Sequence, residues 1–121
     1  MENTIVWFEL PVLDLDRAVK FYSDVMKVEF HLVEDDKSKM AFFPFESESA
    51  SGALVLSDGY VPSNSGAVIY LNGGADLSEP LGRVEAAGGK VTLPKMSIGE
   101  NGYIAHFEDT EGNRVGIHSV S

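Results

Sequence analysis

The sequence predicts an α+β protein in which one order of elements, strand–helix–strand–strand–strand, occurs twice. Three observations lead there. Two helical stripes, each opened by Asp or Ser residues able to cap it, follow short apolar strands. Each stripe is succeeded by runs of strand character set apart by turn residues. The last two runs flank DTEGN at residues 109–113, a loop whose chemistry suits a hairpin.

In order, residues 4–10 form the first strand, with Val6, Phe8 and Leu10 on one face and Ile5, Trp7 and Glu9 on the other. Glu9 stands out on an apolar strand, because a carboxylate there must be paired, protonated or turned to a cavity. Residues 11–15 make a turn. Asp14 or Asp16 can cap a helix reaching Met26, with a stripe of Ala18, Val19, Phe21, Tyr22, Val25 and Met26. Residues 28–33 and 40–45 read as strands around the polar turn 35–39. A small polar loop (46–51), a short strand (53–56) and a connector broken by Pro62 (58–65) follow. The order then restarts with a strand over 67–71 and a turn over 72–74. Asp76 or Ser78 can cap a second helix through Leu81, Val84, Glu85 and Ala86, which Gly88 and Gly89 end. A strand over 91–93 and a Gly-containing loop over 94–101 lead into the final hairpin.

That hairpin places the chemistry. Asp109 can cap its turn, and Gly112 supplies a positive-φ residue. Glu108 then stands opposite Arg114, His106 opposite Gly116 and Ile104 opposite His118. Two of the three histidines point to one side, an arrangement that a slip of one residue would undo. His31, beside Glu29, reads as a surface residue.

Length and composition bound the function. A chain of 121 residues suits one domain with a real core, and 44% hydrophobic against 23% charged residues argues against disorder. A net charge of −10 makes nucleic acid and anionic membrane poor partners. The absence of Cys excludes disulfides, thiolate metal sites and a Cys nucleophile. With no signal-like N-terminus and no run of transmembrane length, the reading is a cytoplasmic protein.

Three stretches, FELPVLDLDRAVKFY (8–22), VEAAGG (84–89) and DTEGN (109–113), resemble the vicinal oxygen chelate superfamily. That is the fold of glyoxalase I, bleomycin-resistance proteins and extradiol dioxygenases. The first stretch is similar to the family's V-x-D-L-D-R-A-x-x-F-Y opening, and the last to its D-P-D-G-N hairpin, with Thr110 in place of Pro. The resemblance implies a single domain of two βαβββ modules, about 4–56 and 67–118, whose curved sheets enclose a cavity. A second subunit often completes that cavity, so a homodimer is expected.

Catalytic members of the family hold a divalent metal through side chains on the first and last strand of each module. By that resemblance the first-strand position is Trp7 and the last-strand position, usually Glu, is Gly116. Val68, Ile69 and Tyr70 stand where a His is typical, and residues 53–56 carry no ligand. The usual metal site is therefore expected to be absent and no cofactor is called for. A displaced divalent site would fall to Glu9, His106 and His118. The candidate cavity lining is Trp7, Glu9, Tyr70, His106, Gly116 and His118, with Glu9 and His106 as an acid–base pair if the protein is an enzyme. Residues 94–102 resemble a flap over that cavity. Two functions are implied: a small-molecule binding or sequestering protein of the bleomycin-resistance type, or a glyoxalase-like lyase or isomerase or a dioxygenase-like enzyme.

Overall fold

Asp14 is extended and its carboxylate accepts the Arg17 amide at 3.1 Å, which starts the first helix, α1, over Leu15–Met26. Lys27 ends it in the left-handed conformation and donates its amide to the Ser23 carbonyl. The face carrying Ala18, Phe21, Tyr22 and Val25 is buried as the stripe predicts, Leu15 joins it, and Val19 and Met26 at its margin are half-buried. In the computed structural model, which describes residues 4–46 and 49–121, α1 follows β1 (Trp7–Pro11) and precedes β2 (His31–Glu34), β3 (Ser38–Phe42) and β4 (Ser51–Ser57). The second round comprises β5 (Tyr70–Asn72), α2 (Ser78–Leu81), β6 (Lys90–Ser97), β7 (Tyr103–Glu108) and β8 (Arg114–Ser119).

These strands form two curved four-stranded sheets of like topology, β1-β4-β3-β2 and β5-β8-β7-β6. In each the first strand pairs with the last in parallel and the remaining pairs are antiparallel. Alternation sends Leu10, Ala41 and Leu54 of the first sheet, and Ala105, Phe107, Val115 and Ile117 of the second, into one core with α1. The Phe21 ring lies 5.8 Å from Phe107 and the Tyr22 ring 5.7 Å from Phe43, so the helix is wedged against both modules.

The β7–β8 hairpin has the predicted register: Glu108 pairs with Arg114, His106 with Gly116 and Ile104 with His118. Asp109 accepts the Glu111 and Asn113 amides at 2.8 and 2.9 Å, and Gly112 turns the chain at φ 96°. The turn also reaches the far end of the chain. Glu111 accepts the Leu13 and Asp14 amides at 2.8 and 2.9 Å and both Arg17 guanidinium contacts at 2.8 and 3.0 Å. Asp109 accepts the buried Tyr22 hydroxyl at 2.6 Å, and Asn113 donates to the Pro11 carbonyl at 2.7 Å. The first and last stretches singled out in the sequence are thus each other's partners.

Several boundaries differ from expectation. β1 begins at Trp7, with residues 4–6 exposed, and β2 covers only the end of the expected 28–33. β3 ends at Phe42, and β4 starts at Ser51, inside the expected loop 46–51, whose residues 47 and 48 lie outside the described ones. β5 is Tyr70–Asn72 and takes in Asn72 from the expected turn. The second helix is α-helical for only four residues. Beyond Gly82 the amides of Arg83 and Val84 fold back three residues, to Pro80 and Leu81, because Pro80 and Gly82 weaken the α pattern. β6 runs on through Pro94 to Ser97, so half of the expected flap is paired with β7. Pro94 is tolerated because β6 is an edge strand, and the register shifts on either side of Leu93.

Burial alone would push the Glu111 carboxyl up, but the bonds from Arg17, Asp14, Leu13 and Thr110 bring it down to about 2. A depressed carboxylate contributes its full stability above its ordinary value of 4.5 and loses it as pH falls toward 2. Glu111→Gln is expected to cost about 3 kcal/mol at pH 7 and to flatten the acid limb of stability between those values, measured by urea unfolding at several pH values.

Candidate functional site

Helix α1 covers one face of the first sheet, and the other face of each sheet is left open. On the second sheet that open face carries His106 and Ile104 of β7 and Arg114, Gly116 and His118 of β8, all alternating with buried residues. Tyr70 of β5 pairs with Gly116 in parallel, and its ring lies directly over the glycine. A Cβ at position 116 would stand 2.4 Å from two Tyr70 ring carbons, so only glycine admits the ring there. The Tyr70 hydroxyl then meets His106 Nε2 at 2.7 Å.

Partial burial, and after it the charge of Arg114, holds His106 below its ordinary value of 6.5, so the imidazole is neutral at pH 7. A neutral ring nitrogen and a phenol can each give or take a proton in a hydrogen bond. Arg114 donates to the Gly66 carbonyl at 3.0 Å, while its Nε is buried without a partner among the described residues. His118 has another task. Its Nε2 lies 2.6 Å from the Asn101 carbonyl, which only accepts, so Nε2 carries the proton and ties down the 3-10 turn Gly99–Asn101.

On the first sheet, Trp7 and Glu9 share the open face as alternation predicts. Glu9 is not desolvated, however, and it does not pair with a histidine. It is exposed, and its Oε1 accepts the Tyr60 hydroxyl at 2.7 Å. The reason is that α1 covers the opposite face, where Phe8 and Leu10 point, and leaves the Glu9 side uncovered. The bond also raises the Tyr60 phenol above its ordinary value. His31 is exposed on β2, as read from the sequence, although its ring lies 6.4 Å from Phe42. Tyr60 and Phe42 are not among the candidates read from the sequence, and Arg114 is placed there in the hairpin register without a role in the site. Alternation could have found Phe42, whereas Tyr60 sits in a connector with no periodic signal.

Between β1 and the chain entering β5, a cleft of about 710 Å³ opens. Its walls include Ile5, Trp7, Phe8, Met26, Phe43 and Tyr70, so it joins the open faces to the end of α1.

A divalent metal does not fit the expected last-strand position, since Tyr70 fills the space that a ligating side chain at 116 would need. The fallback set does not gather either. Glu9, His106 and His118 each have a different protein partner. Among the described residues no group of three or more His, Asp or Glu side chains could hold a metal ion.

Two βαβββ modules with open curved sheets and an adjoining cleft define the class of protein. The model of the Glyoxalase/Bleomycin resistance protein/Dioxygenase superfamily matches residues 4–117, and the chain belongs to that superfamily. A glyoxylase-like domain-containing protein of Didymella fabae is 32% identical over 122 residues, covering 93% of this chain and 91% of that protein. The trypanothione-dependent glyoxalase I of Leishmania major has the same fold, with a TM-score of 0.72 at 17% identity over 98% of this chain and 87% of that one. Glyoxalase I of Zea mays matches with a TM-score of 0.70 at 22% identity over 95% of this chain. This chain spans only 44% of the maize chain. No helix among the described residues is long and apolar enough to cross a membrane.

Two outcomes follow. Gly116→Ala is expected to expel the Tyr70 ring, break its bond to His106 and cost about 1–3 kcal/mol, read by thermal unfolding and by the His106 ring resonances. An NMR titration is expected to give His106 a value below 6.5 that rises in Arg114→Met.

Proposed function

We propose that the protein binds a small organic molecule on the open faces and in the adjoining cleft, without the metal ligands that catalytic relatives use. The observation behind this reading is the Tyr70 ring seated on Gly116 with its hydroxyl on His106. A position that would otherwise carry a ligating carboxylate instead carries a neutral donor–acceptor pair beside an apolar cleft. The cleft takes the body of the ligand, and Tyr70 and His106 orient its polar group. Trp7 supplies a flat aromatic wall. The net charge of −10 favours neutral or cationic ligands.

In this reading residues 4–56 and 67–118 are equivalent modules of one cytoplasmic domain, and no cofactor is needed. Ile5, Val6, Trp7, Phe45 and Tyr70 leave exposed apolar surface around the opening, which supports a homodimer that closes it. A second reading draws on the short Tyr70–His106 bond: the pair moves a proton on a bound substrate, as a glyoxalase-like lyase or isomerase would require.

A thermal-shift screen across cationic antibiotics, glutathione adducts and catechols tests both. A true ligand is expected to raise the unfolding temperature, and Tyr70→Phe and His106→Ala are each expected to weaken it about tenfold. If ligands bind but neither variant alters them, the reading fails. Turnover lost in His106→Ala would favour the enzyme. Light scattering is expected to give twice 13.1 kDa.

A further inference from the structure

The open face of the first sheet carries a second group of side chains. Following the register across it, Glu9 on β1 lies beside Ala53 on β4, Ala53 beside Phe42 on β3, and Phe42 beside His31 on β2. Trp7, two residues before Glu9 on the same face, lies beside Ser51. Neighbouring strands are about 4.8 Å apart, so side chains on β1 and β3 are ordinarily separated by the β4 residue between them. Here those residues are Ser51 and Ala53, too small to hold the rings apart.

The Trp7 and Phe42 rings therefore meet across β4, with centroids 5.1 Å apart and planes at 69°. Phe45 closes on Trp7 from another side at 6.3 Å and 88°. The three rings, set edge to face and nearly at right angles, form an aromatic corner, and Trp7 is 36% exposed. Glu9 stands at the edge of that corner. Tyr60 fixes one of its oxygens and leaves the other without a partner among the described residues.

Both a π face and a carboxylate attract positive charge. The protein supplies none here. Residues that the register puts on this face are aromatic, aliphatic, Ser, His31 or Glu9, and none is Lys or Arg. Among the described residues, the cation–π contact found lies elsewhere, between Lys95 and Tyr103.

We infer that this corner is a cation subsite that takes an alkylated ammonium group, with its methyl surface on Trp7 and Phe42 and its charge against Glu9. A primary ammonium has three N–H groups to satisfy, and the corner offers one free carboxylate oxygen. An alkylated ammonium has few or none, which suits walls of aromatic carbon. The assignment rests on the small-molecule reading above and adds the headgroup class of the ligand.

Trp7 is the single tryptophan, so its emission reports on this corner directly. The probes are choline and 3,3-dimethylbutan-1-ol, which differ in a quaternary nitrogen against a quaternary carbon, titrated at matched ionic strength. Choline is expected to change Trp7 emission saturably, at concentrations at least about tenfold below those the alcohol needs. Glu9→Gln keeps an acceptor for Tyr60 and is expected to weaken choline about tenfold while leaving the alcohol unchanged. Far-UV circular dichroism confirms that this variant is folded. Equal response to the two probes, no effect of Glu9→Gln on choline, or no saturation by about 0.1 M choline would each overturn the subsite. If screened ligands depend on Tyr70 and His106 while choline fails, only the cation subsite falls. If choline behaves as expected and no ligand depends on those residues, the subsite stands and the Tyr70–His106 reading falls.

Discussion

The turn 109–113 is the constraint on which the rest depends. Its two carboxylates face a neutral phenol, a guanidinium and the amides at the entry of α1, all from residues 13–22. Buried carboxylates are costly unless their lone pairs are used, and here the used pairs span nearly the whole chain. Because Glu111 holds Leu13, Asp14 and Arg17, the helix cannot shift without exposing a charge. Because α1 is wedged between Phe43 and Phe107, the relation of the two sheets is set with it. The same carboxylate at the middle of the hairpin turn thereby positions the open faces where ligands would sit.

The connector adds a second tie at the same end of the molecule. Tyr60 bonds Glu9, the Ser63 amide donates to Asn113, and Gly66 accepts from Arg114. The connector is thus tied to both sheets by these bonds, and the cleft opens beside Trp7 and Tyr70. The superfamily's architecture is retained, and the two strand positions that the sequence resemblance assigns to metal ligands hold an indole and a glycine capped by a phenol.

What was legible in the sequence was local. The hairpin register could be read because turn chemistry and two-residue alternation agree, and α1 because cap, stripe and length agree. The expected second helix is longer than the α-helix found because its apolar spacing continues past Gly82, where the bonds become mostly three-residue turns. β6 was underread because Pro94 looks like a break unless the strand is known to lie at an edge. The site was half legible. Alternation puts Trp7, Glu9, His106 and Gly116 on open faces, but it cannot tell how deep a face lies, and so Glu9 reads as cavity lining although it is exposed and bonded to Tyr60. The Tyr70–Gly116 contact requires the parallel pairing of β5 with β8, and the Tyr60–Glu9 bond joins residues 51 apart. Neither leaves a periodic trace.

The long reach of the Glu111 contacts bears on how the chain is made. During synthesis the first module emerges with the amides of Leu13 and Asp14, the Arg17 guanidinium and the Tyr22 hydroxyl still waiting for acceptors roughly ninety residues downstream. Contacts of such sequence separation form late, after loop closure has been met by enough burial elsewhere. The N-terminal half therefore remains unfinished, with Phe21 lacking Phe107 and the Tyr22 hydroxyl lacking Asp109, until the hairpin has docked. Half a chain of this protein therefore lacks the carboxylates on which its own helix entry depends.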